Sequence, residues 1–364
     1  MQAQNNSYRS LSNGIILLVF LTVILTGLHG LVSVIFLMVI SRLDFGRDPD
    51  DKHGVTSGAS RLGGLAIMFS LLSGIVLNTY ISENLTFMIF KDEFYLLLFS
   101  FLVGLVGLIE DLRQNLSSML RLFLIIFIVV LALAFMPFLI PLKLGLLPDV
   151  NEPIRMTFIY AFTSLMITGF VNAGNIADGA NGLLSLSYLA FFYCLNAIDP
   201  SIPHLSIIIS LIIFIIYNIG TGRIFLGDFG AYFLSALAAF SSLKLYQEYD
   251  VSVFFFAAIL IYPCFELTRS LIFRFINKLS VMSPDNNHLH NKLNDYFLAI
   301  GLNPLQSNSM TGVFVAFIST SLPTYLFITG IGLDNNLWFG LFIFEFLLLF
   351  TIYLLLTKIN LKKI

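Results

Sequence analysis

Apolar runs separated by short polar connections divide the chain from end to end. The first covers residues 14–40, and its 27 residues exceed the roughly 7–15 of a signal-peptide core. With no convincing cleavage site, it is expected to remain in the mature protein. Further runs follow at 62–81, 94–109, 119–140, 156–172, 182–198, 205–219, 229–246, 252–273, 310–332 and 337–357. A helix needs about 20 apolar residues to cross a bilayer. The pattern therefore predicts an all-α integral membrane protein with about eleven transmembrane helices, or ten if a short run such as 94–109 or 205–219 does not cross. Residues 1–364 read as a single polytopic membrane domain, with no repeat visible between its halves.

Composition agrees with that pattern and excludes the alternatives. Hydrophobic residues make up 58% of the 364 and charged residues only 11%, against about 25% charged in soluble domains. A net charge of −2 argues against a nucleic-acid partner, which usually calls for a pronounced basic patch. The two cysteines, Cys194 and Cys264, fall inside apolar runs and read as packing residues. Basic residues collect on the cytoplasmic side of a membrane. Fourteen of the nineteen fall on the side of the connections after odd-numbered runs and the C-terminal tail, twelve in those segments and Arg121 and Arg269 in the runs that border them. Those connections are expected to be cytoplasmic and the N-terminus outside.

The same connections hold the unusual polar clusters and three of the five histidines, His53, His288 and His290. In NAGNIADGANG, Asn172, Asn175, Asp178 and Asn181 recur every three residues, which puts them on one helical face. Such an oxygen-rich surface suits a hard cation or a polar ligand. FLGDFG sets Asp228 at the start of a run beside Phe225. Near Asn175 and Asp178 it would complete a Mg²⁺ site that leaves positions open for phosphate oxygens. Glu110 and Asp111 are adjacent, so on a helix they point about 100° apart and cannot easily share one ligand. The two histidines of HLH alternate, which suits an extended loop with both rings on one side. No third residue has metal-site spacing, so phosphate is the expected partner of these imidazoles rather than zinc.

These five loops, in this order, resemble the polyprenyl-phosphate N-acetylhexosamine-1-phosphate transferase family, over nearly the whole chain. The most specific parts are NAGNIADGANGL, IFLGDFGAYFL, PDNNHLH, RLGGLAI and the acidic pair of GLIEDL. The resemblance implies transfer of a sugar 1-phosphate from a UDP-sugar to undecaprenyl phosphate, releasing UMP. It also implies ten or eleven helices, a cytoplasmic active site in a bacterial inner membrane, and Mg²⁺ as cofactor, with Mn²⁺ as a substitute. By position it implies Asn175 and Asp228 as metal ligands, Asp111 and Asp178 as catalytic carboxylates with Glu110 beside them, Asn181 and Phe225 on the uracil, and His288 and His290 near the phosphates. Asn172 and Arg274 complete the expected substrate-binding set, the arginine as a phosphate neutraliser. Glu110 stands where the family pattern has Asp, and Asn291 where a third His is common.

The expected partners are thus UDP-N-acetylhexosamine, undecaprenyl phosphate and the lipid bilayer, and a homodimer is compatible with the pattern. No peptide-recognition segment is visible and the C-terminal tail is short, which favours an N-acetylhexosamine donor for a surface polysaccharide such as O-antigen over a muramoyl-pentapeptide donor. The rival readings are a secondary transporter and a non-catalytic member of the same fold. A transporter would carry intramembrane charges, broken helices and repeats. Only Glu266, Arg269 and Glu345 are clear ionisable residues in the late runs, and the first two are spaced to pair.

Overall fold

The computed structural model describes residues 2–48, 58–81, 91–142, 150–280 and 287–359. His53 and residues 284–286 of the PDNNHLH motif lie outside the described residues. Thirteen α-helices occur among the described residues: α1 (Gln2–Ile40), α2 (Gly63–Ile81), α3 (Lys91–Arg113), α4 (Ser118–Phe135), α5 (Glu152–Ala177), α6 (Leu183–Ile198), α7 (Ile202–Thr221), α8 (Gly227–Glu248), α9 (Val253–Ile259), α10 (Ile261–Ile276), α11 (Leu289–Ala299), α12 (Pro304–Ile328) and α13 (Leu337–Lys358). The described residues contain no strand, only isolated bridges. The all-α polytopic membrane architecture is as the hydrophobic pattern predicts.

Each apolar run becomes a helix, with differences that have physical causes. Runs 94–109 and 205–219 lengthen to helices of 23 and 20 residues. Their polar flanks continue the winding: Asp92 and Glu93 complement the positive end of α3, and the Ser201 hydroxyl caps α7 by accepting from His204 N at 3.2 Å. The short apolar helix is instead α6, with 16 residues. Run 252–273 is not one straight span. It breaks at Leu260 into α9 and α10, which meet at 84°. Eight helices are individually long and apolar enough to cross a membrane, and the bent pair makes a ninth.

Helix α8 fails that hydropathy measure for an instructive reason. It is rich in glycine, alanine and serine and is buried along most of its length, so it is solvated by protein rather than lipid. Small residues let helix backbones approach closely inside a membrane. A Cβ on Gly107 of α3 would come within 2.3 Å of Asp228 O. That contact seats the first turn of α8 directly against the end of α3, where the acidic pair lies. Helix α11 was not expected. It is a short element docked on α12 and α13, with Phe297 edge-on to Phe314 and Lys292 over the Tyr353 ring.

Candidate functional site

The polar loops converge at one end of the bundle, where α3, α5, α7 and α10 finish and α2, α4, α6, α8 and α12 begin. A short strap forms the floor. The α1–α2 and α7–α8 connections pair there: Ser60 N donates to Arg223 O at 2.9 Å, Phe225 N to Ser60 O at 2.7 Å, and Gly63 N to Phe225 O at 2.9 Å. Gly227 closes the strap with φ of +75°, and a Cβ on it would lie 1.8 Å from Arg61 O. Only glycine satisfies both the left-handed backbone and that approach.

Asp111 is fully buried and accepts from Asp228 N at 3.1 Å and Phe229 N at 2.9 Å. It therefore caps α8 from another helix, satisfying N–H groups that have no partner inside α8. Arg61 Nε sits 3.4 Å from the same carboxylate. With its backbone N–H satisfied by Asp111, Asp228 keeps its own carboxylate for the cavity. That carboxylate accepts from Asn175 Nδ2 at 3.0 Å and Arg121 at 3.2 Å, and lies 3.7 Å from Arg61. Glu110 points elsewhere, as neighbours on a helix must. It accepts from Leu116 N at 3.0 Å in the α3–α4 turn and faces Arg121 at 3.9 Å.

The expected single helical face over Asn172–Asn181 does not form. Helix α5 stops at Ala177, Asp178 is its C-cap, and Asn181 lies in the turn before α6. Glycine breaks the winding: Gly182 has φ of +80°, and a Cβ on Gly179 would strike the His290 ring at 2.0 Å. Asn172 donates to Thr168 O at 2.8 Å one turn back and does not line the cavity. Asp178, Asn181, Phe225 and Asp228 do, together with Arg61, Asn218 and Asn308. Burial foremost, then the negative Asp228 nearby, push the Asp178 carboxyl up to about 7, while Arg61 pulls it the other way. Asn181 is held on both sides: its Oδ1 accepts from Asn218 at 3.2 Å, its Nδ2 donates to Ser309 Oγ at 3.3 Å, and its backbone N–H reaches Asn308 at 2.7 Å.

The histidines are close together but not in an extended loop. His288 is the N-cap of α11 and His290 lies in its first turn, with the rings stacked at 5.2 Å and 12°. Glu266 anchors them. Fully buried, it accepts from Leu289 N at 2.6 Å, Arg269 Nε at 3.0 Å and Tyr262 OH at 3.2 Å, and His288 Nδ1 lies 2.9 Å away. Tyr262 OH also meets His290 Nδ1 at 2.7 Å. Because His290 packs on Gly179, this cluster abuts the Asp178 turn. Arg274 sits in the last turn of α10 and is not among the residues lining the cavity.

Among the described residues no three carboxylate, imidazole or thiol side chains converge as a metal cage of their own. The donor chemistry nevertheless fits Mg²⁺, which is usually held by one or two carboxylates with substrate phosphates and water completing its octahedron. Asp228 and Asp178 share the cavity wall, and the Asn175 amide stands beside Asp228.

Residues 93–246 match the family model described as Glycosyl transferase family 4, a segment spanning the acidic pair, the Asp178 turn and Asp228. The chain is 28% identical over 305 residues, 80% of its own length and 78% of the relative's, to a probable undecaprenyl-phosphate N-acetylglucosaminyl 1-phosphate transferase of Bacillus subtilis. It is 27% identical over 285 residues, 70% of its own length and 84% of the relative's, to a phospho-N-acetylmuramoyl-pentapeptide-transferase of Staphylococcus epidermidis.

Proposed function

We propose, from the match of residues 93–246 to the Glycosyl transferase family 4 model and from the relatives the chain resembles, that this sugar-phosphate transferase passes an N-acetylhexosamine 1-phosphate from a UDP-sugar to undecaprenyl phosphate, yielding undecaprenyl-diphosphate-sugar and UMP. The reaction would initiate a cell-surface polysaccharide such as O-antigen, on the cytoplasmic face of a bacterial inner membrane. One observation carries this reading: Asp178 and Asp228 face a single cavity at a membrane-level end of the bundle, with Arg61 and Arg121 paired to Asp228. That alternation of charge suits two phosphate anions brought together with a divalent cation. A transporter would place such residues near the bilayer midplane, whereas these come from helix ends.

The chain's own residues divide the work. Asp228, with Asn175 and Asp178, would hold Mg²⁺, which when bound supplies positive charge to the donor diphosphate. Arg61 and Arg121 hold the phosphates against their mutual repulsion and stabilise charge on the departing UMP. Phe225 offers a half-buried ring at the cavity wall for the uracil, and Asn181 keeps one spare donor and one spare lone pair for the base edge. With His288 Nδ1 engaged by Glu266, its Nε2 is the nitrogen open to phosphate. The lipid phosphate has its second pKa near 6 and is mostly ionised at neutral pH. Positioning therefore matters more here than proton removal. Purified protein incubated with UDP-N-acetylhexosamines, undecaprenyl phosphate and Mg²⁺ should release UMP and a lipid-linked sugar; no UMP with any such donor would reject the reading.

Stacking on an aromatic ring contributes roughly 1–3 kcal/mol per base. Phe225→Ala should accordingly raise the UDP-sugar KM about tenfold while leaving the undecaprenyl phosphate KM within about twofold. An unchanged donor KM would remove Phe225 from the base site. Sidedness is checked separately. In whole cells, an impermeant thiol reagent should label single cysteines at positions 84 and 150 but not at 56, 117 or 286, and labelling of the last three before permeabilisation would put the site on the outer face.

A further inference from the structure

A second cavity, of about 440 Å³, lies on the other side of the strap, lined by Arg42, Arg47 and Arg223 with Tyr217, Met38 and Ser41. It shares no lining residue with the cavity of Asp178 and Asp228. Arg47 gives an N–H to Gly58 O at 2.9 Å. Among the described residues the Arg42 and Arg223 side chains have no hydrogen bond and no carboxylate partner. Three guanidinium groups around one space repel each other unless an anion joins them, and their planar forks match phosphate oxygens.

Position narrows the anion. The apolar span of α1 ends at Ile40 and that of α7 at Thr221, so Ser41, Arg42, Tyr217 and Arg223 bracket the level where hydrocarbon gives way to headgroups. Tyrosine is enriched at that level. Below the arginines, Ile35, Met38 and Val39 turn an apolar flank outward, about half exposed at 50%, 45% and 55%. An occupant with a phosphate head and an apolar tail meets both surfaces at once. We propose that this cavity is a binding site for the phosphate of an anionic phospholipid of the bilayer. The bound phosphate is not the reacting one, because the strap separates it from the catalytic carboxylates. Its headgroup rests on Gly58 and Ala59, two residues before the Arg61 that lines the first cavity. The site needs none of the substrate assignments made above.

The test uses the full-length protein in detergent and reads lipid binding by native mass spectrometry, so turnover is not required. Phosphatidylglycerol should bind saturably and phosphatidylcholine should not. Arg42→Gln/Arg223→Gln should weaken phosphatidylglycerol by about tenfold or more, since each hydrogen bond to a charged group is worth roughly a factor of ten. Arg42→Lys/Arg223→Lys should fall between the two, because it keeps charge and loses the fork. Both arginines are exposed, so a monodisperse variant isolates binding from folding. Equal phosphatidylglycerol affinity in the glutamine variant, or equal retention of phosphatidylcholine, overturns the site. Displacement of phosphatidylglycerol by equimolar undecaprenyl phosphate or inorganic phosphate overturns the assignment to a phospholipid and transfers the cavity to that anion.

Discussion

Asp228→Asn is expected to reduce transferase activity on the order of a hundredfold or more at low millimolar Mg²⁺, because loss of a direct ligand should exceed the 10–100-fold cost of losing an outer partner. Asparagine keeps the shape and one oxygen and removes only the charge. If Asp228 served α8 as a cap, the change would be nearly silent, since Asn caps about as well as Asp. Capping belongs to Asp111, whose carboxylate already takes the N–H groups of Asp228 and Phe229. Asn175 and Arg121, which donate to Asp228, would remain in place around a neutral amide. Steady-state rates across a Mg²⁺ series, with membrane insertion verified, decide the matter. Activity within a few-fold of the parent would sink the metal assignment and leave Asp178 as the next candidate.

Glu266→Gln is expected to disable the enzyme by a different route, lowering turnover at least about a hundredfold while the Mg²⁺ concentration for half-maximal rate stays unchanged. Removing one partner of a buried ion pair costs about 3–5 kcal/mol, or two to three orders of magnitude in a docking equilibrium. That cost falls on the contacts that hold α11 in place, Leu289 N, Arg269 and His288. The histidines would then leave the Asp178 turn while Asp228 and Asn175 keep their geometry. Turnover within threefold of the parent would show that Glu266 supports the helix end and not the histidines.

The spans were legible because hydrocarbon demands a long apolar run, and each of the eleven runs is a helix or a bent helix pair. The bend at Leu260 has its signal just beyond it, where Pro263 has no N–H to give the Ile259 carbonyl and its ring crowds that oxygen, so the helix breaks one turn earlier. Asp178, Asp228, Asn175, Asn181 and Phe225 could be placed near one another from loop chemistry. The arginines of the site were harder. Arg121 does leave a local trace: a cation in the first turn of α4 opposes the helix dipole and so calls for a counter-charge, which Glu110 and Asp228 supply. Arg61 stood in plain view within RLGGLAI but carried no sign of its partner, because the strap that turns it toward Asp111 forms only when two distant connections pair. Glu266 and Arg269 were read as a mutual pair, which they are at 3.0 Å. Their grip on His288 depends on α11, whose weak apolar pattern resembled a loop.

The 84° turn between α9 and α10 gives the histidine cluster an unusual electrical setting. One face of α10 carries the buried Glu266 and Arg269, while the opposite flank exposes Leu271 and Phe275. A helix is only about 10–12 Å across, so the ion pair lies that close to the apolar surface α10 offers to lipid. Hydrocarbon there lowers the effective dielectric and strengthens charge attraction; water reaching the same flank would weaken it. The hold on His288 and His290 is thereby tied to the quality of the hydrophobic environment around Phe275, and a detergent belt that leaves this flank wet would loosen the site without touching a single substrate-facing residue.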